Sequence, residues 1–288
     1  MNPKVSVIIV HWRVRKLLEQ CLHSIYKQID PEEVEVIVVD NDSQDGTSEM
    51  LMVEFPKVKT IALGQNKGFA YANNLGIKIA HGQLIFLLNP DTVIGDGFFA
   101  KGMKYMAENP GVSIVGPLLL NKDGSVQESV RRFPDWRSHI LILLKLKNII
   151  PQQKFLAHYL YPDFDYRRET AVEQIMGAAM IIRRSVFDAL GLFDQGYFIW
   201  FEEVDFCQRA RKHGLSIKFV PDFSVTHYGG ASFEQAPTVH KQMMFNRSLL
   251  RYFFKHQPWW QSIILMIILP INLLLTVLYA LFLRIREQ

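Results

Sequence analysis

Cysteine is almost absent from this sequence. Cys21 and Cys207 are the only two among 288 residues. Each falls inside a helical pattern, so the expectation is two packed thiols rather than a disulfide or a metal pair, as suits a reducing compartment. A lysine- or arginine-rich block is also missing. The 32 basic residues stand against 28 acidic ones, for a formal charge of +4. That excess is too mild and too dispersed to neutralise a run of phosphates, which argues against a nucleic-acid partner. No segment repeats and none is of low complexity. The first apolar run, VSVIIV at residues 5–10, is too short for a signal h-region, and its β-branched residues read as a strand.

What is present is a chain that is 49% hydrophobic and 21% charged, long enough to bury a full core with apolar surface to spare. The surplus sits near the C-terminus. Residues 259–283 hold no charged side chain, and about 20 apolar residues suffice to cross a hydrocarbon core. Trp259 and Trp260 stand at one edge, Arg284 and Arg286 at the other, as interfacial anchors do. Pro270 and Asn272 interrupt the middle, so a kinked span and an in-plane helical hairpin are both open, as is a terminal helix buried in a soluble oligomer. Just upstream, Arg247, Arg251 and Lys255 recur every four residues beside Met243, Leu250 and Phe254. That spacing makes either a helix lying on anionic headgroups or an ordinary amphipathic surface helix.

The body of the chain divides near residue 125. Before it, short β-branched runs (5–10, 35–39, 60–63, 84–88, 113–115) alternate with helical stretches (14–28, 47–55, 71–81, 97–109). This is the pattern of a mostly parallel sheet flanked by helices, an α/β fold. After it, residues 131–173 are aromatic and poorly patterned, with an apolar helix expected around 140–150. A strand at 178–182, a helix at 185–190, an acidic helix at 201–213 and a strand at 216–220 follow. The expected organisation is 1–125, 126–236 and a membrane-associating 237–288.

Ligands of a parallel sheet bind beyond the carboxyl ends of its strands. His11 ends the first strand, Asp40 and Asp42 follow the second, and Asn89 and Asp91 follow LIFLL. Asp91 is suited to ligating a hard divalent cation together with substrate phosphate oxygens, or to capping a turn, since Asn-Pro-Asp is a good turn sequence. Asp40 and Asp42 can accept hydrogen bonds from a nucleobase or ribose, or cap the helix that follows. In NKGFAYANNLGI, Gly68 permits close backbone approach to a ligand, Lys67 can meet a phosphate, and Asn73 and Asn74 supply paired amides; a plain helix entry fits as well. Glu202, Glu203 and Asp205 crowd the first turn of the acidic helix beneath Trp200 and Phe201. They complement the helix dipole, and Asp205 can pair with Arg209. A carboxylate in such a partly apolar pocket can equally serve as a general base toward a hydroxyl. His227, in VTHYGG, can complete a cation site or simply pack.

Taken in order, VSVIIVHWR, VVDNDSQDGT, NKGFAYANNLGI, LLNPDTVI, RRFP, GAAMIIRRSVFDALGLFD, FIWFEEVDFCQRARKHG and VTHYGG resemble the inverting glycosyltransferases of family two, with the GT-A fold, and within them the rhamnosyltransferase-like members. The resemblance implies nucleotide recognition near Asp40 and Asp42, a Mg²⁺ or Mn²⁺ bridge from Asp91 to the donor diphosphate, a metal- or phosphate-contacting His227, and a base in the acidic pair. Two departures stand out. The usual Asp-X-Asp reads Asn89-Pro90-Asp91, and the usual Glu-Asp reads Glu202-Glu203.

The expected activity is an inverting, metal-dependent transfer of a sugar to a hydroxyl of a lipid-linked or cell-envelope polysaccharide acceptor. By resemblance the donor is dTDP-rhamnose and the place is the cytoplasmic face of a membrane. Lys67 and either Arg131 or Arg132 would hold the diphosphate, and Glu203 would be the base, with Glu202 beside it. The aromatic stretch 155–166 would form an acceptor wall or lid. A nucleotidyltransferase is the nearest rival, but VSVIIVHWRVRKLL lacks the glycines of its phosphate loop. A catalytically silent, membrane-anchored carbohydrate-binding protein is the other.

Overall fold

The computed structural model describes residues 3–30, 32–150, 153–229 and 238–286; the side chains of Asn148 and of residues 282–286 are outside the description. Gly230 and the side chains of Arg284 and Arg286, singled out in the sequence, therefore lie outside the described residues.

Strands β1 (Val5–His11), β2 (Val34–Asp40), β3 (Lys59–Ala62) and β4 (Leu84–Leu88) pair in the order β3-β2-β1-β4, all parallel. The order reverses between β1 and β4, which is where an open α/β sheet leaves a crevice for ligand. Every residue of β1 is buried, as expected of a parallel strand covered on both faces. Its alternate side chains feed different cores. Val5, Val7 and Ile9 pack with Leu18, Cys21, Leu22 and Ile25 of α1 (Arg15–Tyr26) and with Phe98 and Phe99 of α4 (Phe98–Glu108). Ile8 and Val10 pack with Ala70, Ala72 and Ile77 of α3 (Phe69–Ile79) and with Phe206 and Cys207 of α8 (Glu202–Lys212). The two cysteines are buried thiols, one on each side of the sheet.

The sheet continues as β4-β10-β6-β11-β5, through β10 (Ala179–Arg183), β6 (Val112–Leu120), β11 (Ser216–His227) and β5 (Thr92–Ile94). This part is mixed. β10 runs antiparallel to both β4 and β6, and β5 runs antiparallel to β11. β6 and β11 are longer than the sequence pattern suggests, because pairing with each other carries both past their apolar runs, across a bulge near Val220 and Ser224. β5 has three residues and no periodicity to read. Helix α2 (Thr47–Glu54) matches its expected place. The apolar helix expected at 140–150 is instead α5 (Trp136–Leu143), started by Asp135, whose carboxylate accepts from the N–H groups of Arg137 and Ser138.

A third core joins α5 to α9 (Thr238–His256) and α10 (Trp259–Arg286) through Leu143, Leu249, Phe253 and Leu265, and reaches Phe201 and Val204 at the start of α8. Arg251 and Lys255 do not form the outward stripe expected for headgroups. Arg251 bonds Asp194, and Lys255 bridges Asp194 and the fully buried Asp205, which also takes Arg209 and His256. Buried carboxylates demand partners, and these cations supply them.

Candidate active site

A cleft of about 530 Å³ opens at the carboxyl ends of β1 and β4. It brings together Gly68, Asn89, Asp91, Glu202, Glu203 and His227 from the expected set.

The floor on one side is the turn after β4. Asp91 is 5% exposed, and its carbonyl accepts from the Tyr228 N–H at 2.9 Å. The antiparallel register pairs His227 with Thr92, so β5 and β11 hold Asp91 and His227 together. His227 Nε2 lies 3.4 Å from Asp91 Oδ1 and 3.3 Å from Asn89 Nδ2. Its Nδ1 is 2.8 Å from Gln127 Oε1. With Nδ1–H donating to that amide oxygen, Nε2 keeps its lone pair and faces the carboxylate. This is the tautomer a cation needs, with the outer nitrogen fixed by a second partner. An imidazole nitrogen and a carboxylate oxygen, both buried and this close, fit Mg²⁺ or Mn²⁺ if substrate oxygens complete the shell. The three-residue group of metal-ligating type among the described residues, Glu19, His23 and Glu54, lies outside the cleft lining.

The opposite wall is the start of α8. Trp200 and Phe201 adopt left-handed backbone conformations (φ 60° and 70°), which bulky residues rarely adopt unless their surroundings hold them there. Three contacts do so. The Phe69 N–H donates to the Phe198 carbonyl at 2.7 Å, Ser248 Oγ donates to the Ile199 carbonyl at 2.8 Å, and the Asp205 N–H donates to the Phe201 carbonyl at 2.8 Å. Gly68 (φ 88°) sits against this segment, and a Cβ there would strike the Phe198 carbonyl. The strained turn delivers Glu202 and Glu203 into the cleft. Each has a buried carboxylate oxygen, Oε2, without a protein hydrogen-bond partner. Burial pushes both carboxyls up, that of Glu202 well up with Glu203's charge adding to it. Glu203 is restrained by N–H groups including that of Gly177 and by the nearby Arg131. The pair therefore holds a proton more readily than ordinary carboxylates.

Other expected residues lie outside the cleft lining. His11 is fully buried, with Nε2 2.8 Å from Thr47 Oγ1 and 3.4 Å from Asp45; burial lowers its pKa against the pull of Asp45 and Asp40. Asp40 accepts from the Ser43 N–H, Asp42 from Gln44, and Asn73 donates to the Phe69 carbonyl. Asn74 clamps Phe193 through both its amide groups. The Lys67 side chain is exposed. Arg132 stacks over Tyr161 and reaches Glu173, whereas Arg131 lines the cleft beside Tyr159.

Asn41, Trp12 and Phe245 also line the cleft and Gln127 supports it through His227, although no sequence motif singles out any of the four. Asn41 accepts from the Lys67 N–H and donates to Asn66 and the Gly68 carbonyl, shaping the loop before α3. It stood in plain sight between Asp40 and Asp42, masked by their charge. Gln127 has no local pattern at all, since its role exists only through the distant β11.

The family model described as Glycosyl transferase family 2 matches residues 6–191. The N-acetylglucosaminyl-diphospho-decaprenol L-rhamnosyltransferase of Mycobacterium tuberculosis is 26% identical over 278 residues, covering 91% of this chain and 88% of its own. The dTDP-rhamnosyl transferase RfbF of Shigella flexneri is 23% identical over 230 residues, covering 79% of this chain and 70% of its own. GalNAc-T7, solved with UDP, GalNAc and Mn²⁺, superposes with a TM-score of 0.60 at 19% identity, over 81% of this chain and 45% of that one. TarS 1-349 of S. aureus superposes with a TM-score of 0.56 at 17% identity, over 87% and 72%. At such identities the structural likenesses carry the fold alone.

Proposed function

Since the chain belongs to glycosyl transferase family 2, we propose that it transfers a sugar from a nucleoside-diphosphate donor to a hydroxyl of a lipid-linked or cell-envelope glycan, with inversion and with the help of a divalent cation. The observation that carries this is the sharing of one cleft by the Asp91–His227 pair and the Glu202–Glu203 pair. One pair suits a diphosphate leaving group and the other a proton acceptor. Rhamnose from dTDP-rhamnose is the specific reading, supported by the likeness to the rhamnosyltransferases of Mycobacterium and Shigella.

Asp91 and His227 would hold Mg²⁺ or Mn²⁺, which when bound neutralises charge developing on the leaving diphosphate. Arg131, already in the cleft, adds a second positive charge. Asn41, Asn66, Asn89 and the backbone at Gly68 offer donors and acceptors to the nucleotide, backed by Asp40, Asp42 and His11 from outside the lining. Glu203 takes the proton from the acceptor hydroxyl as that oxygen attacks the anomeric carbon, and Glu202 stays protonated beside it. One displacement from the opposite face inverts the configuration. Residues 1–125 then chiefly serve the donor, residues 126–236 the acceptor and the base, and residues 237–288 attachment at the cytoplasmic face of a membrane. The aromatic ring of Tyr159 on α6 (Lys154–Leu160) forms part of the acceptor wall.

Thermal shift of the purified chain against nucleoside diphosphates, with and without Mg²⁺ or Mn²⁺, tests the reading. A shift for one diphosphate that needs the cation, and that is lost with transfer activity in Asp91→Ala, is the expected result. Near-normal turnover of Asp91→Ala would remove the metal assignment. No shift with any nucleotide would return weight to a silent carbohydrate-binding protein.

A further inference from the structure

Helix α10 is amphipathic the wrong way round for a water-soluble protein. Its protein-facing seam carries Ser262, Leu265, Asn272 and Thr276, all buried. Its outward face carries Trp259, Trp260, Ile263, Ile267, Ile271 and Leu274, continuing through Leu278 and Leu281, all exposed. These positions recur at the three- and four-residue steps of one helical face. The most apolar 18-residue window within Trp259–Leu281 has a mean hydropathy of 2.6, and 17% of its residues are buried, so length and composition alone would let the helix cross a bilayer. Its packing says otherwise.

Asn272 stands near the middle of the 28-residue helix and is the centre of a polar clasp. Its amide N–H donates to the Leu143 carbonyl at 2.7 Å, and its carbonyl accepts from Asn246 at 2.9 Å. Gln242 donates to Asn246, and Lys145 donates to Gln242. A perpendicular crossing would carry the end of α5, Lys145 and much of α9 to the depth of Asn272, the middle of the hydrocarbon, where cations and an open helix end are strongly disfavoured. Undocking α10 would instead strand Asn272 and the Leu143 carbonyl without their partners.

Charge points the same way. Residues 136–150 and 238–286 contain no aspartate or glutamate, yet they carry Arg137, Lys145, Lys147, Lys241 and Arg247 besides the cations paired with Asp194 and Asp205. At one end Trp136 meets Trp260 edge-on at 5.7 Å, and Arg137 lies 5.0 Å over the Trp136 ring, an aromatic and basic cluster of headgroup type. We propose that α10 lies in the plane of an anionic membrane surface, its apolar stripe sunk into one leaflet and its polar seam kept on α5 and α9, and does not span. This deepens the membrane attachment proposed above and rests on it. In that arrangement Phe245 of α9, which also lines the cleft, brings the apolar wall of the site beside the lipid surface.

The test uses the full chain expressed in bacterial cells, from which sealed everted membrane vesicles are prepared. Gln257→Cys and Gln288→Cys place thiols before α10 and at the last residue; Cys21 and Cys207 are buried, and the unsubstituted chain measures their background. A membrane-impermeant maleimide should label both new thiols equally without detergent. Labelling of Gln288→Cys only after detergent would overturn the in-plane arrangement while sparing the anchor. Recovery of the chain in the soluble fraction would sink the anchor itself, and a soluble dimer with the stripe covered would assign that face to a second copy. Ile267→Asp with Leu274→Asp, on the outward stripe, should cut membrane retention at least tenfold while donor hydrolysis stays unchanged. Full retention by that double variant would also overturn the proposal.

Discussion

At the residue scale, the two glutamates at the head of α8 make different predictions although they are neighbours. Burial raises both carboxyls, Glu202's well above the ordinary range, and the proposed mechanism makes Glu203 the base and Glu202 its protonated neighbour. Glu203→Gln should then lower turnover by about 10²–10⁴-fold, the usual worth of a general base. Glu202→Gln should cost far less, since an amide imitates the protonated acid; the reverse order would exchange the roles. A raised folded pKa favours the native state only while the group is protonated. That stability is complete below the unfolded value of about 4.3 and lost as pH rises through the folded one. Glu202→Gln should therefore melt higher than the parent at neutral pH, the gap closing in acid. Activity should fall in acid at a pH above the ordinary carboxylate range, where the base becomes protonated. Gln127→Ala leaves the His227 tautomer unguided, and titration with Mn²⁺ should read a loss of roughly 10–100-fold in cation affinity. Charged residues were legible in sequence because their chemistry announces itself. Gln127 and Asn41 were not, because a neutral amide acquires meaning only from the partner opposite it.

At the scale of elements, α8 and α9 are joined by ions. Asp205 is fully buried, and burial alone would raise its carboxyl, yet hydrogen bonds from His256 and Lys255 and the charge of Arg209 hold it below its ordinary value. Asp194 is likewise held down against burial by Arg251 and Lys255. A depressed carboxyl stabilises the fold fully above its unfolded pKa of about 3.9, and the benefit is lost as pH falls through the folded value. Removing one member strands buried charge, so Asp205→Ala should cost about 3–5 kcal/mol in chemical denaturation near neutrality, and less in acid. The i,i+4 spacing of Asp205 and Arg209 was readable in the sequence, and the pair is present at 2.9 Å. The attachment of Lys255 to Asp205 was not, since the two are fifty residues apart and nothing local distinguishes a cation facing lipid from one facing a carboxylate.

At the scale of the whole molecule, an α/β body carries a basic, acid-free module of α5, α9 and α10 on one side. Flotation with anionic vesicles should weaken as salt rises from about 0.1 to 1 M, which shortens the screening length from about 10 to 3 Å. It should not vanish, because apolar burial is insensitive to screening. Complete release by salt would mean that charge alone holds the chain.

The sequence by itself determined the class of fold, the strand tips that bear polar groups, the acidic turn and the apolar tail, because periodicity, composition and turn chemistry are local properties. It also carried the likeness to family two, through ordered short motifs. Only the tertiary structure decided that Asp91 meets His227, that Arg131 rather than Arg132 faces the cleft, that β10 enters antiparallel, and that α10 hides its polar side. Each of these depends on which surfaces meet after the chain has closed loops of many residues, and no local window contains both partners of such a contact.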